Sequence, residues 1–126
     1  KTGAVVVFYR GHWCKQCRKQ LKELEEIRTQ LGQRGFEIYA VSTDEPSTSA
    51  ELRKKIGLGF TLLSDEGGMT INAWGVYTKE HDLARPSVFV IAPGGVIAYR
   101  YVSDSPADRP TPTVLLEQAA KAQSPE

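Results

Sequence analysis

The sequence predicts an α/β fold in which a central mixed sheet carries helices on both faces. The first observation is an apolar run at residues 5–9, which lacks polar alternation and is typical of a strand buried on both faces. The second is the order strand, amphipathic helix, strand over residues 5–41, which predicts parallel neighbours joined by a right-handed crossover. The third is a Pro-Gly-Gly turn at residues 93–95 between two further apolar segments, which predicts an antiparallel hairpin at the sheet edge.

Composition and charge fit one globular domain spanning residues 1–126. Hydrophobic residues make up 40% of the chain and charged residues 25%, which are ordinary values. A formal net charge of +1 gives no reason to expect nucleic acid or an anionic membrane as partner. No apolar run approaches the length of a membrane span. Because the chain begins at Lys1 and enters a strand almost at once, we expect an upstream segment, and we expect residues 123–126 to be frayed.

The first helix is predicted from Cys14 to about Leu31, and Gly32 marks its end. Its apolar residues recur every three or four positions, with Lys and Glu between them. These apolar residues are Leu21, Leu24, Ile27 and Leu31. Residues 36–41 form the second predicted strand. The turn at residues 10–13 therefore lies at the carboxyl end of a strand, where open α/β sheets usually place their ligands.

The spacing of Thr48 and Glu51 is that of a capping box, which predicts a helix from about Thr48 to Gly57. A last amphipathic helix is predicted with Thr113 as its N-cap. For Arg109, in the loop before it, we expect only solvation or local turn bonds. The other predicted elements are strands at residues 60–63, 87–91 and 96–102, helical turns at 69–74, a turn at 65–68, and loops at 77–85 and 103–112.

Cys14 and Cys17 are the only cysteines of the chain, and they stand where the first strand turns into the first helix. Residues three apart lie on the same face of a helix, so the two sulfur atoms can close a small disulfide ring with little rearrangement. The free N–H groups and the dipole of the first helical turn favour a thiolate, whose pKa should fall from about 8.5 into roughly the 3.5–7.5 range. Lys15 adds a nearby positive charge. Because thiolate is the reactive form, the pattern predicts a redox-active dithiol.

Other interpretations of the two cysteines remain open. They could be buried structural residues, a permanent disulfide, or half of a zinc site completed by His12 and His81. For the whole chain, the corresponding alternatives to an enzyme are a redox-inert module that docks a partner and a small metal-binding domain. Cysteines that refuse to pair under oxidant would favour the binding module, and stoichiometric zinc would favour the metal-binding domain.

Several segments resemble one known family. The WCKQC sequence at residues 13–17 resembles the W-C-x-x-C redox motif of the thioredoxin fold, and residues 85–91 resemble its second landmark, a cis-proline before a core strand. Three further segments, residues 39–44, 60–65 and 73–76, are similar in order and spacing to the alkyl hydroperoxide reductase/thiol-specific antioxidant family of peroxiredoxins and their relatives. The turn at residues 8–14 resembles the branch of that family that carries a Cys-x-x-Cys pair. The resemblance covers residues 4–102.

The resemblance implies a thioredoxin-like fold and a thiol–disulfide oxidoreductase that cycles Cys14 and Cys17 between dithiol and disulfide. On the family's Pro-x-x-x-Thr-x-x-Cys motif, Cys17 takes the peroxidatic place, Cys14 the Thr place and Arg10 the Pro place. The family's second active-site arginine falls at Pro86, beside Arg85. Two orders of attack are therefore open. Either Cys14 attacks a substrate disulfide and Cys17 resolves it, or, in a peroxidase, Cys17 attacks a hydroperoxide and Cys14 resolves the product.

The residues around the dithiol have expected roles under this resemblance. Trp13 would shield the thiolate, Arg10 and Arg85 would lower thiol pKa values or hold a polar substrate, and a cis Pro86 would place its backbone against the dithiol. No metal and no organic cofactor are expected. The expected electron donor is a thiol/disulfide protein or a low-molecular-weight thiol, and the expected substrate is a disulfide or a hydroperoxide. We expect a cytoplasmic location, or an exported one if a leader precedes Lys1.

Overall fold

The computed structural model describes residues 2–123 and contains one five-stranded sheet, one two-stranded ribbon and five α-helices within that range. The strands are β1 (Gly3–Phe8), β2 (Phe36–Ser42), β3 (Thr61–Ser64), β4 (Tyr77–Thr78), β5 (Leu83–Ala84), β6 (Ser87–Ile91) and β7 (Ile97–Val102). The helices are α1 (Lys15–Glu26), α2 (Arg28–Gln33), α3 (Pro46–Ile56), α4 (Met69–Ala73) and α5 (Pro112–Ala122), with a single 3-10 turn at Glu66–Gly68. In this part of the chain, every helix is too short or too polar to cross a membrane.

The five-stranded sheet has the order β3-β2-β1-β6-β7, so β1 is its central strand. The β1–β2 and β2–β3 pairs are parallel, whereas β6 runs antiparallel to both β1 and β7. The mixed sheet, the parallel crossover after β1 and the antiparallel hairpin at the edge are therefore confirmed. This order places the carboxyl ends of β1, β2 and β3 at one edge of the sheet.

Both faces of β1 are buried, which explains its unbroken apolar sequence. Val5, Val7 and the following Tyr9 belong to a core cluster with apolar residues of α1, α2, α3 and α5. Val6 and Phe8 belong to a second cluster on the opposite face, where α4 and the β4–β5 ribbon cover the sheet. The end of β1, from which the two cysteines follow, is thus fixed from both sides.

Two predicted elements differ from the structure. The single helix expected up to Leu31 is two helices, because Ile27 leaves helical geometry (φ −105°, ψ 8°) between α1 and α2. Ile27 and Leu31 still pack into the core after the break, so the apolar period continues and does not reveal it. The loop expected at residues 77–85 contains the β4–β5 ribbon, whose register pairs Tyr77 with Ala84.

Two helix starts were predicted too late, and both for the same reason: the N-cap of α3 lies three residues before Thr48, and that of α5 lies two residues before Thr113. The third helix begins at Pro46 after Glu45, with no capping box from Thr48, and α5 begins at Pro112. The N-cap of α5 is Thr111, whose side chain accepts the backbone N–H of Val114. Proline suits the first position of a helix, since the N–H group it lacks would have no partner there. Of the tail expected to fray, residues 124–126 lie outside the described residues.

Candidate active site

The turn between β1 and α1 is held by the neighbouring strand β2. The Tyr9 N–H donates to the Val41 carbonyl at 3.0 Å, which extends the pairing with β2 past the end of β1. Asp44, two residues after β2, accepts the His12 N–H at 2.8 Å. These two hydrogen bonds fix the position of the turn relative to β1 and β2, and thereby the position at which α1 begins.

Gly11 allows the close approach of Trp13 in this turn. A Cβ atom at Gly11 would lie 2.6 Å from the indole nitrogen of Trp13, so a larger residue would force the indole to move. Gly11 also accepts the Cys14 N–H through its carbonyl at 3.2 Å. The glycine thus lets the indole fold over the turn while the chain enters α1 at Cys14.

Cys14 is the N-cap of α1, and Cys17 lies in the first turn of that helix. Their Cα atoms are 5.2 Å apart and their sulfur atoms form a disulfide. The Cys14 Sγ atom also accepts the Cys17 backbone N–H at 3.2 Å, which is the hydrogen bond of a helix cap. Cys14 is 3% exposed and Cys17 is fully buried. The predicted position of the pair at a helix N-terminus is therefore present in the structure.

Arg109 reaches the disulfide from the loop between β7 and α5. Its Nη2 atom lies 3.1 Å from the Cys17 Sγ atom and 3.9 Å from the Cys14 Sγ atom. The guanidinium is oriented by two further bonds, from Nη1 to the buried Gln20 Oε1 at 2.5 Å and from Nε to the Pro106 carbonyl at 2.6 Å. Two contacts with α1 and one within its own loop thus hold one positive charge beside Cys17.

Burial and, as the smaller cause, the positive charge of Arg10 together lower the pKa of Arg109 to about 10. The guanidinium is still protonated at neutral pH, so the charge is present. A second donor, the backbone N–H of Arg10, points to the Cys17 Sγ atom at 3.4 Å. Two donors therefore converge on Cys17, and one N–H of the first helical turn serves Cys14. This arrangement can stabilise a thiolate on either cysteine once the disulfide is reduced, with the full charge closest to Cys17.

Other predicted residues surround the dithiol to different extents. Trp13 is 48% exposed, and the Arg10 guanidinium lies 4.9 Å from its ring centroid in a cation–π contact. Lys15 is exposed on the first residue of α1, and no contact of its side chain with either sulfur is present among the described residues. The indole and the Arg10 side chain thus form the solvent-facing edge of the site.

Within residues 2–123, neither Arg85 nor Pro86 forms a hydrogen bond with either sulfur atom. The Arg85 guanidinium forms an ion pair with Asp104 in the loop after β7. The expected cis peptide at Pro86 is wrong, since no cis peptide bond occurs within residues 2–123. A trans proline is accommodated here because the position just before a strand needs no ladder N–H, while the Pro86 carbonyl still accepts the Ser103 N–H at 2.9 Å. Arg85, Pro86 and Arg10 instead share the wall of one cavity.

His12 and His81 do not form a metal centre with the cysteines. His12 faces Asp44 through its Nδ1 atom at 3.3 Å, and His81 is exposed in the β4–β5 ribbon turn. Within the described part of the chain, no three side chains of the His, Cys, Asp and Glu types converge closely enough to hold an ion.

Arg109 is the site residue that the sequence does not identify. It lies 92 residues from Cys17 along the chain, in a polar loop of ordinary appearance. The available signal is weak: three prolines, at positions 106, 110 and 112, flank the arginine and restrict its backbone. That pattern is compatible with a stiff loop, but it does not say which side of the fold the arginine faces.

Comparisons with known proteins agree with this geometry. Residues 1–100 match the AhpC/TSA family. Peroxiredoxin Q from rice (Oryza sativa subsp. japonica) is 33% identical over 98 residues, covering 77% of this chain and 45% of that protein. Thiol-disulfide oxidoreductase ResA from Geobacillus thermodenitrificans is 33% identical over 67 residues, covering 52% of this chain and 38% of that protein. The chain therefore spans less than half the length of either relative.

A structural comparison shows the fold. The crystal structure of Enterococcus faecalis AhpC superposes with a TM-score of 0.87 at 21% sequence identity, covering 95% of this chain and 74% of that one. The predicted thioredoxin-like architecture is thereby confirmed.

Proposed function

The chain belongs to the AhpC/TSA family, and on that premise we propose that it is a thiol–disulfide oxidoreductase that cycles Cys14 and Cys17 between dithiol and disulfide. The observation that carries the proposal is the Cys14–Cys17 disulfide at the N-terminus of α1, with a helix-cap N–H and the Arg109 guanidinium directed at its sulfur atoms. A half-buried cation beside the sulfur atoms adds nothing to a purely structural disulfide, whereas it stabilises the thiolate that forms when the disulfide is reduced.

In the proposed cycle, Cys14 is the first nucleophile because it is the cysteine with exposed surface. The Cys14 thiolate attacks one sulfur of a substrate disulfide, forms a mixed disulfide and releases the first substrate thiolate. The Cys17 thiolate then attacks the Cys14 sulfur, which closes the Cys14–Cys17 disulfide and releases the second substrate thiolate. Two electrons pass to the substrate. A thiol donor must return two electrons to the protein to complete the cycle.

Single-cysteine variants test the order of attack. We expect Cys17→Ser to accumulate a mixed disulfide through Cys14, since the resolving thiol is gone, and Cys14→Ser to accumulate much less. Mass spectrometry after exposure to an oxidised model peptide would identify the trapped cysteine. If neither variant reacts faster than a free thiol at the same pH, the dithiol is structural and the proposed activity is wrong.

A second candidate function is a peroxidase in which Cys17 attacks a hydroperoxide. The observation that favours it is the convergence of the Arg109 guanidinium and the Arg10 N–H on the Cys17 Sγ atom. In that reaction the Cys17 thiolate takes one peroxide oxygen to become a sulfenic acid, and the other oxygen leaves as an alcohol. The Cys14 thiol then attacks the Cys17 sulfur, a disulfide forms and water leaves.

The peroxidase is tested by following sulfenic acid at Cys17 in Cys14→Ser after addition of peroxide. Under this alternative, the sulfenic acid forms much faster than on a free thiol, and Arg109→Gln slows it because the cation no longer stabilises the thiolate. If sulfenic acid forms slowly in Cys14→Ser both with and without Arg109→Gln, the peroxidase alternative is wrong and disulfide exchange remains the proposed function.

We also propose that the protein works in the cytoplasm as a reductant of its substrate. Whether a dithiol reduces or oxidises depends on its reduction potential against that of the compartment. A potential near or below that of the cytosolic thiol pool would support this location, and a potential as high as that of a periplasmic oxidase would contradict it.

A further inference from the structure

We propose that a cavity beside the dithiol binds the carboxylate of a low-molecular-weight thiol, and that this thiol reduces the Cys14–Cys17 disulfide. This inference rests on the proposed function and identifies the chemical class of the electron donor. The cavity is named here the Arg10 cavity, after the one residue that belongs both to its wall and to the dithiol turn.

The Arg10 cavity has a volume of about 460 Å³, within the range of roughly 300–1,000 Å³ typical of small-molecule sites. One wall is the β4–β5 ribbon, from Tyr77 to Ala84. The opposite wall comes from the loop after β7, with Asp104 and Pro106, and the start of β6 closes one side through Pro86. The cavity can therefore enclose a molecule of amino-acid or short-peptide size, but it cannot enclose a folded protein.

Two of the wall residues connect the cavity directly to the dithiol. The backbone N–H of Arg10 donates to the Cys17 Sγ atom at 3.4 Å. The Pro106 carbonyl accepts the Nε–H of Arg109, whose Nη2 atom contacts the same sulfur. The two connections approach Cys17 from different elements, so the cavity borders the turn that carries the dithiol. Neither sulfur atom lines the cavity, and the thiol of a bound ligand must therefore extend past Arg10 to reach Cys14.

The charges on the cavity wall select a ligand with a negative group. Arg85 already forms an ion pair with Asp104, and the ribbon contributes one Lys and one Glu, Lys79 and Glu80, whose charges cancel. The Arg10 guanidinium contacts the face of Trp13, and among residues 2–123 it forms no ion pair with a carboxylate. A carboxylate on the ligand would supply that partner in the two-pronged geometry that a guanidinium favours.

The bound thiol would reduce the Cys14–Cys17 disulfide in two successive thiol–disulfide exchanges. The bound thiol, as its thiolate, attacks the Cys14 sulfur, which is the exposed sulfur of the pair. A mixed disulfide forms, the Cys14–Cys17 bond breaks, and Cys17 leaves as a thiolate beside the Arg109 guanidinium. A second thiol attacks the ligand's sulfur in the mixed disulfide. The products are one oxidised ligand disulfide and the reduced Cys14 and Cys17 pair, so two thiols have supplied two electrons.

A matched pair of thiols tests the inference. N-acetylcysteine carries a carboxylate, and N-acetylcysteine amide is its neutral counterpart of almost the same size. The rate at which each one reduces the oxidised protein is measured by stopped-flow, expressed per thiolate, and divided by the per-thiolate rate of the same thiol with a free small-molecule disulfide, so that both the ionised fraction and the intrinsic nucleophilicity of the two thiols cancel. We expect N-acetylcysteine to react about fivefold faster than the amide at low salt, the size of a partly exposed charge pair, and the preference to shrink at high salt.

Variants locate the preference on Arg10. In Arg10→Gln the ratio of the two rates should fall close to one, and in Arg10→Lys part of the preference should remain because the charge is kept. The matched control is Arg34→Gln, which removes an exposed arginine next to Gly35, at the amino end of β1, and should keep the full ratio. The rate with the neutral amide checks within each protein that the disulfide is still accessible and the fold intact.

Three other outcomes would contradict the inference, and only the last of them would also contradict the proposed function. Equal rates for the two thiols in the wild-type protein would overturn the carboxylate site and leave the proposed oxidoreductase standing. Reduction by a reduced thioredoxin but by neither small thiol would replace the small molecule with a protein donor, and the proposed function would again stand. If thioredoxin, the two thiols and dithiothreitol all leave the disulfide oxidised in the folded protein, the proposed function fails together with the inference.

Discussion

Arg109 brings a full positive charge to 3.1 Å from the Cys17 Sγ atom, from a position 92 residues away in the chain. In the resemblance to the peroxiredoxins, the place of the second active-site arginine is occupied by Pro86, and Arg85 beside it is paired with Asp104. The guanidinium at the dithiol therefore comes from a different element, the loop before α5. Its three anchors, Gln20, Pro106 and the sulfur itself, mean that it does not depend on Arg85 for its position.

The first prediction concerns the thiol pKa of Cys17. In the reduced Cys14→Ser protein, replacing Arg109 by Gln should raise this pKa by roughly one unit or more, since a cation within about 4–6 Å favours the thiolate. The ultraviolet absorbance of the thiolate, followed against pH, measures the change directly.

Arg34→Gln in the same background is the matched control, because it removes an exposed arginine at the amino ends of β1 and β2, whereas the dithiol follows the opposite end of β1. If the two variants give the same pKa for Cys17, then Arg109 does not stabilise the thiolate. In Arg109→Lys, the pKa of Cys17 should lie between the values for Arg109→Gln and Arg34→Gln, since lysine keeps the charge but lacks the planar group that also bonds Gln20.

At the level of secondary structure, α1 carries the dithiol and is fixed by its buried face. Cys17, Gln20, Leu21 and Leu24 form that face, and Leu21 is fully buried against the sheet. Packing of this face determines where the N-terminus of α1 lies relative to β1. The stability of the fold and the geometry of the site thus share the same contacts.

The second prediction follows from this packing. Leu21→Ala should lower the free energy of unfolding by about 3 kcal/mol, because it removes buried methyl groups and leaves a cavity. Urea unfolding of the reduced and oxidised proteins measures the loss. Lys22→Ala, on the next and exposed residue, should change stability by no more than about 0.5 kcal/mol. Similar losses for the two variants would mean that α1 is not packed as described.

The two late helix starts have one common origin. The starts of α3 and α5 are marked in the sequence by Pro46 and Pro112, each at the first helical position. Both prolines stand in polar, turn-like surroundings, so the later Thr48 and Thr113 look like better caps. Local polarity therefore competes with the positional preference of proline, and in both cases the structure follows proline.

For the whole molecule, the tyrosines link global stability to pH. All five have a pKa raised above the ordinary value of 10.0, and burial is the largest cause for Tyr9. Tyr9 is fully buried at the end of β1, whereas the other four are only half-buried. Above pH 10 the unfolded chain releases these protons before the folded one does. The folded state then binds more protons, and stability falls as pH rises.

The third prediction is that this alkaline loss of stability depends mainly on Tyr9. The free energy of unfolding in urea should be flat with respect to Tyr9 below pH 10 and should fall as the pH rises above that value. The free energy of unfolding of Tyr9→Phe should fall less over the same pH range, because phenylalanine has no phenolic proton to release. Tyr39→Phe is the control, since a hydrogen bond to Glu37 and not burial is the main cause of its raised pKa. An identical pH dependence for both variants would contradict the burial argument.

The sequence by itself determined the order along the chain of the five strands of the main sheet, the placement of Cys14 and Cys17 at a helix start, and the family resemblance. These are local features, because apolar periodicity, turn residues and a three-residue spacing are all read within a short window. The tertiary structure decided that Arg109, and not Arg85 or Lys15, contacts the sulfur atoms, and that Arg10 faces a cavity beside them. A loop arginine carries no local signal of the side on which it packs. Its position depends on where α5 and β7 dock, and that is fixed by contacts distant in the chain.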